Sequence, residues 1–142
     1  MIYKKSTLGI LIFWFMTLAV FGVFGPGVPG SRAEDKLTLV SSVMCESVSN
    51  FLPVYPAVVF TISQGEIFCY TAFDPVPEQI HIYHKWYKRD TLISSARLTL
   101  NPPKWSSVSS MQLRDGDKGA WRVEIVDANN ILVKTLRFSI SD

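Results

Sequence analysis

Two histidines and a cluster of serines are the residues of this chain whose types could support hydrolytic chemistry. His81 and His84 are the only histidines, and the serines are concentrated between residues 106 and 110. A histidine beside a serine can act as a general base for a nucleophile, but such a site also needs an acid that orients the base. No acid is placed for this role, and the chain has no Gly-x-Ser-x-Gly turn. We therefore predict no catalytic residue and no enzymatic activity.

The same histidines are poor candidates for a metal site. They are three positions apart, and on a β-strand this spacing places their side chains on opposite faces, so they cannot bind one ion together. The segment Asp115-Gly116-Asp117 has two carboxylates in a turn, as calcium loops do, but lacks the further ligands and the terminal glutamate. We predict neither a metal ion nor a cofactor.

A row of aromatic and basic residues is the better candidate for a functional surface. Tyr83, Lys85 and Tyr87 alternate along one segment and would share one face of a strand, with Arg89 just beyond it. Tyrosine and arginine are enriched where proteins bind partners, and aromatic faces also stack on sugar rings. Three more basic residues are expected near this row: Lys88, Arg97 and Lys104.

These residues leave three interpretations of the row open. The first is a non-catalytic module that docks a protein partner through the exposed sheet or an edge strand. The second is a carbohydrate-binding module that recognises a cell-envelope glycan through Tyr83 and Tyr87. The third is an ordinary solvated sheet face whose aromatics reflect strand propensity. A glycan-binding assay with Tyr83→Ala would separate the first two.

The elements that must position this row are β-strands. In the segment 79–87, alternation places Ile80, Ile82, His84 and Trp86 on the face opposite to the tyrosines. We predict that this face points into the core, with His84 satisfied by a hydrogen bond. Trp86 and Trp121 are expected to anchor the core, and the remaining motif tryptophan, Trp105, is also assigned to the inside.

Apolar and polar residues alternate with period two through most of the chain after residue 36, and no segment there has a convincing helical period. The pattern predicts an all-β, immunoglobulin-like antiparallel sandwich of about seven to eight strands. Pro53 and Pro56 should prevent regular pairing in the segment 50–56. In the strand that follows the turn at residues 88–90, we expect Leu92 and Leu100 to face inward.

The N-terminal 33 residues have the features of a targeting segment. Lys4 and Lys5 precede an uncharged apolar run of about 17 residues, and Ser31 and Ala33 are small residues at the positions that a signal peptidase requires. We predict a signal peptide, or an uncleaved membrane anchor, over residues 1–33 and a β-sandwich domain over 34–142. The domain would then be exported and would be periplasmic or anchored to the inner membrane facing outward.

The charge of the chain also depends on this segment. The whole sequence has a formal net charge of +2. Lys4, Lys5 and Arg32 belong to the targeting segment, so eleven basic residues remain against twelve acidic ones. A domain so close to neutrality has no general attraction for nucleic acid. We predict no nucleic-acid partner, and contact with a membrane only through an uncleaved N-terminal segment.

Cys45 and Cys69 are the only cysteines. Because an exported protein meets an oxidising compartment, a disulfide between them is the leading prediction. The alternative is a pair of separate buried thiols that pack as small apolar residues. Their spacing is unlike the Cys-x-x-Cys of redox enzymes, so a catalytic pair is disfavoured.

The ordered set of these motifs resembles the bacterial domain-of-unknown-function family 2914. The set comprises Cys45, Cys69-Tyr70-Thr71, His84-x-Trp86-Tyr87, Trp105 with Ser109-Ser110, Gly119-x-Trp121-Arg122-Val123, Asp127 and Phe138, and it extends from about Leu37 to Ile140. The resemblance implies an exported or membrane-associated β-sandwich module, and it implies no particular chemistry. An envelope protein partner is the expectation that fits it best, with a glycan as the alternative.

Overall fold

A computed structural model describes residues 35–142, which contain strands and two short 3₁₀ helices. The predicted targeting segment, residues 1–33, lies outside this range. Within residues 35–142, no helix has the length and apolar character needed to cross a membrane. The nine strands are β1 (Leu39–Ser49), β2 (Leu52–Pro56), β3 (Val59–Thr61), β4 (Glu66–Phe73), β5 (Ile80–Lys88), β6 (Thr91–Leu100), β7 (Trp105–Gln112), β8 (Gly119–Val126) and β9 (Leu132–Ser141).

The strands form two sheets. Sheet A has the order β2-β1-β4-β7, and sheet B has the order β3-β9-β8-β5-β6. All strand pairs are antiparallel except β3 with β9, which are parallel. The prediction of an all-β fold with two sheets is confirmed, whereas the number of strands is nine rather than seven or eight.

Strand β2 accounts for one of the additional strands and corrects the prediction that the prolines prevent pairing. Pro53 pairs with Val48, and Pro56 pairs with Cys45. Proline cannot donate a backbone hydrogen bond, but an edge strand has a partner on one side only. Because β2 is the outermost strand of sheet A, its prolines are tolerated where a central strand would exclude them.

Aromatic side chains from sheet B form the centre of the core. The Phe138 ring stacks on Trp121 with centroids 6.3 Å apart and meets Trp86 edge to face at 6.0 Å. Sheet A contributes Met44 and Ile67 to the same buried cluster. Offset and edge-to-face ring pairs add to the stabilisation from burial itself. The structure therefore places Trp86 and Trp121 between the sheets.

Two inward assignments made from the sequence are wrong. Trp105 is 41% exposed, because it begins β7, an edge strand that has β4 as its single neighbour. Leu92 is 49% exposed. A bulge shifts the register between β5 and β6, so that Trp86 pairs with Ser94 but Tyr87 pairs with Leu92. A bulge inserts one extra residue, and every side chain beyond it changes face.

The structure does not contain the predicted disulfide. Cys45 and Cys69 are both free and fully buried. In the β1–β4 register, Cys69 pairs with Met44, and Cys45 pairs with Phe68. Directly paired residues share a face and successive residues alternate, so the two sulfurs lie on opposite faces of sheet A. Sheet register, rather than distance along the chain, keeps these thiols apart.

Candidate functional site

Three strands bring a set of polar side chains together between the sheets. His84 on β5 is fully buried, and its Nε2 is 3.1 Å from Thr71 Oγ1 on β4. Its Nδ1 is 2.7 Å from Ser109 Oγ on β7. Ser109 Oγ also accepts a hydrogen bond of 3.1 Å from Trp86 Nε1, and Thr71 Oγ1 donates to the Ser107 carbonyl at 3.5 Å. We call these five residues the His84 network.

The numbers of donors and acceptors determine the direction of these bonds. Trp86 donates to Ser109, whose own hydroxyl hydrogen then needs an acceptor. His84 Nδ1 is that acceptor if the imidazole proton is on Nε2, which then donates to Thr71. With the proton on Nδ1 instead, the Ser109 hydrogen would have no acceptor among these groups. The network is therefore a single directed chain with His84 neutral and protonated at Nε2.

A catalytic role does not follow from this arrangement, although it combines histidine with serine. Burial lowers the pKa of His84 from 6.5 to about 4, because the charged imidazolium would lose its hydration. The Ser109 hydroxyl is occupied by Trp86 and His84, and His84 itself is fully buried. A general base must reach its substrate within hydrogen-bond distance, and this one has no exposed surface. The network joins sheet B to sheet A.

The two-carboxylate turn is used for structure. Residues Asp115–Asp117 form a 3₁₀ helix, and the backbone N–H of Arg114 donates to Asp117 Oδ2 at 2.8 Å. The Asp117 carbonyl accepts a hydrogen bond of 2.6 Å from Trp121 Nε1. Among residues 35–142, three or more side chains of the types that bind metals are nowhere grouped as a site.

The outer face of sheet B contains the predicted tyrosine row. Tyr83, Lys85 and Tyr87 lie on β5 with partly exposed side chains that point away from the core. Strand pairing extends each of them into a row across the sheet. In the first row, Tyr83 lies between Arg97 and Val126. In the second row, Lys85 lies between Ser95 and Glu124. In the third row, Tyr87 lies between Leu92 and Arg122, and Arg122 in turn pairs with Arg137.

Side-chain contacts fix much of this face. The Arg122 guanidinium lies 4.3 Å from the centre of the Tyr87 ring, and it forms ion pairs of 3.4 Å with Glu124 and with Asp90. Lys85 Nζ donates to Asn130 Oδ1 at 2.9 Å. Burial, followed by the nearby Glu124 carboxylate, raises the pKa of Tyr87, so its hydroxyl stays a neutral donor.

The remaining predicted residues of this surface are divided between two regions. Arg89 is exposed in the turn between β5 and β6, with a φ of 52°, and its carbonyl accepts a hydrogen bond from Arg122. Lys104 lies just before β7 of sheet A and is not part of the tyrosine face. Sequence reasoning did not assign Arg122, Glu124 and Arg137 to this surface. Their alternation with buried Trp121, Val123 and Phe138 was the signal that could have placed them outside.

A groove at the end of sheet A contains the exposed tryptophan. Trp105 lines it together with Phe51, which is 83% exposed, and with Val40 and Lys104. The surface is mainly apolar.

Comparisons with known proteins extend the sequence resemblance. Residues 79–140 match the family described as "Protein of unknown function (DUF2914)", a shorter range than the motifs suggested. No curated protein matches the chain in sequence. One similar solved structure is the crystal structure of beta-D-glucoside glucohydrolase from Trichoderma reesei, with 14% identity and a TM-score of 0.34. The alignment covers 75% of this chain and 19% of that one, and so low a score supports no argument about function. The match over residues 79–140, which include Tyr83, Lys85 and Tyr87, supports the DUF2914 assignment made from the sequence motifs.

Proposed function

We propose that the chain is a non-catalytic interaction module of the bacterial cell envelope, with an immunoglobulin-like sandwich that docks a protein partner through the outer face of sheet B. The N-terminal features of residues 1–33 support export across the cytoplasmic membrane, so that the domain works in the periplasm or at the outer side of the inner membrane.

The tyrosine row is the observation that carries this proposal. Tyr83, Lys85 and Tyr87 project from β5, which is hydrogen-bonded to a strand on each side. Contacts with Arg122 and Asn130 already restrict Tyr87 and Lys85, so less side-chain entropy is lost when a partner binds. Partly ordered aromatic and basic side chains are the groups that most often dominate protein interfaces.

The neighbouring edge strand provides a second means of contact. Strand β6 is ten residues long, contains no proline and pairs with β5 alone. Its outer face adds Arg97 and Leu92 to the tyrosine rows. An unpaired strand edge can accept an additional strand from a partner, and side chains on the adjoining face can then select that partner.

Glycan recognition remains the alternative function, and the geometry supports it less well. Stacking of a sugar requires a free aromatic face. One face of the Tyr87 ring is covered by the Arg122 guanidinium, and Tyr83 meets His81 edge to face at 5.6 Å. Tyr83 is therefore the residue on which a glycan site would depend.

Site-specific photocrosslinking in intact cells tests the proposal. A photoreactive phenylalanine analogue replaces Tyr83 in one variant and Ser110 in a control, because Ser110 is exposed on sheet A. We expect a discrete protein adduct from position 83 and none from position 110, and the purified partner should reproduce the adduct with the purified chain. Equal adducts from both positions, or none from either, would contradict the proposal. Saturable peptidoglycan binding that is lost in Tyr83→Ala would favour the glycan alternative.

A further inference from the structure

Charged residues are divided unequally between the two sheets. The strands of sheet A carry two acidic residues, Glu46 and Glu66, and no lysine or arginine. The strands of sheet B carry six basic residues and one acidic residue, Glu124. The domain as a whole is close to neutral, so this basic character is a local property of one sheet.

The single acidic residue of the sheet B strands, Glu124, is engaged by Arg122. Glu124 forms an ion pair of 3.4 Å with Arg122, and burial, followed by the Glu124 carboxylate, raises the pKa of Tyr87. Arg122 is shared further with Asp90 in the turn. The Glu124 carboxylate is thus engaged by Arg122, and it forms no ion pair with Lys85, Arg97 or Arg137 in the described part of the chain.

Three cations of the outer face form no ion pair with a carboxylate within residues 35–142, although Lys85 lies directly across from Glu124 on β8. Lys85 has an uncharged amide partner, Asn130, and Arg97 contacts the imidazole of His81 at 3.4 Å. Arg137 is exposed and forms no ion pair in the described part of the chain. From Arg97 on β6 to Arg137 on β9 there are three strand spacings of about 4.8 Å each. Arg97 lies in the row of Tyr83 and Arg137 in the row of Tyr87, about 13 Å further along the strands, so their backbone positions are about 20 Å apart on the diagonal.

We propose that the outer face of sheet B binds an acidic protein surface, one that presents aspartate or glutamate side chains opposite Lys85, Arg97 and Arg137. This inference rests on the proposed function and names its partner class. Guanidinium groups pair with carboxylates through two parallel hydrogen bonds, which adds geometric specificity to the attraction. The hydroxyls of Tyr83 and Tyr87 lie among these cations and supply further polar contacts.

An anionic membrane surface fits this face less well. Proteins that bind in the headgroup layer usually insert apolar side chains among the acyl chains. Here the centre of the face is polar, and its exposed large apolar residues include Leu92 on β6, Leu132 on β9 and Val59 on β3, which lie on separate strands. A rigid sheet with cations at fixed separations suits an equally fixed set of carboxylates.

Binding of a synthetic glutamate oligopeptide to the full chain tests this inference. The double variant Arg97→Glu/Arg137→Glu reverses the face, and Lys36→Glu/Lys104→Glu makes the same change in net charge at exposed positions elsewhere. We expect the first variant to bind the peptide at least about tenfold more weakly than wild type, and the control to stay within about twofold. Added salt should weaken the wild-type binding, because exposed charges are screened. Unchanged thermal unfolding shows that both variants fold.

Four results would overturn the inference. An equal loss in the control would mean that net charge alone is sensed, and equal binding of a glutamine oligopeptide would remove the role of carboxylates. Arginine-dependent binding to phosphatidylglycerol vesicles without peptide binding would assign the face to a membrane. If position 83 crosslinks to a partner segment without clustered carboxylates, the acidic-partner inference fails while the interaction module stands. If no protein adduct forms at all, the proposed function itself fails.

Discussion

The outer faces of the two sheets differ in chemistry although both come from short alternating strands. On sheet A, Val43, Tyr70 and Val108 form one row, and the Tyr70 hydroxyl is 3.0 Å from Ser106 Oγ within the same sheet. On the outer face of sheet B, the rows across the strands contain tyrosine, lysine and arginine, such as Tyr83 beside Arg97 and Tyr87 beside Arg122. On sheet A the Tyr70 hydroxyl has its partner within the sheet, whereas within residues 35–142 sheet B has three cations that form no ion pair. The difference places the candidate binding surface on sheet B.

The interior shows the same division in another form. Sheet B supplies most of the aromatic core and the buried histidine, and sheet A supplies small hydroxyl groups that satisfy that histidine. Ser109 and Thr71 thus act as hydrogen-bonding partners, not as reactive groups.

The largest effect should come from Trp121→Ala on sheet B, with Trp105→Ala on sheet A as the comparison. Trp121 is 3% exposed and stacks on Phe138, so its truncation leaves a large cavity and should lower the free energy of unfolding by about 3–5 kcal/mol. Trp105 is 41% exposed, so Trp105→Ala should lower the free energy of unfolding by only about 1–2 kcal/mol. Urea unfolding of both variants measures the difference. Equal losses would show that the exposed tryptophan is as deeply packed as the core one.

The second effect is a loss of stability in acid that depends on His84. The pKa of His84 is 6.5 when unfolded and about 4 when folded, because burial disfavours the charged form. Between these values the unfolded chain binds more protons, so stability falls as the pH falls from 6.5 to about 4. The total loss is about 3 kcal/mol. Urea unfolding at a series of pH values measures this slope.

His84→Gln is the matched control for the acid effect. The glutamine amide can accept from Ser109 and donate to Thr71, yet it does not titrate. The inward rows of β4, β6, β7 and β8 hold no charged side chain, and their other titratable group is the Cys69 thiol, whose pKa burial raises. This variant should therefore have a flatter slope between pH 6.5 and about 4 than wild type. An unchanged slope would assign the acid effect to other groups.

The sequence was sufficient for features that depend on alternation along one strand. The inward row of β5 and the outward row of tyrosines follow from side-chain alternation alone. It was insufficient where pairing between strands decides the outcome. The bulge that turns Leu92 outward, the register that separates Cys45 from Cys69, and the edge position of Trp105 depend on partners remote in sequence. The His84 network could not be predicted for the same reason, because its residues come from three strands, β4, β5 and β7.

A smaller effect is expected from removing one hydrogen bond of the His84 network. Thr71→Val keeps the shape of the side chain but leaves the Nε2 proton of His84 without an acceptor, which should cost about 1–3 kcal/mol. Thr71→Ser retains the hydroxyl and should cost less, since it loses only a methyl group. Nitrogen NMR shifts of His84 report its tautomer independently of stability. An Nδ1-protonated ring in the wild-type protein would contradict the directed chain.

The smallest effect concerns the two cysteines, whose side chains lie on opposite faces of sheet A. Because Cys45 and Cys69 point to opposite faces, oxidation of the folded chain should not join them, and the unfolding midpoint should be the same with and without a reductant. Both thiols are fully buried, and burial raises the pKa of each, so a thiol reagent should modify them only after unfolding. Mass measurement of the unfolded, alkylated chain counts the free thiols. A loss of two hydrogens in the native protein would require a β1–β4 register different from the one in which Cys69 pairs with Met44.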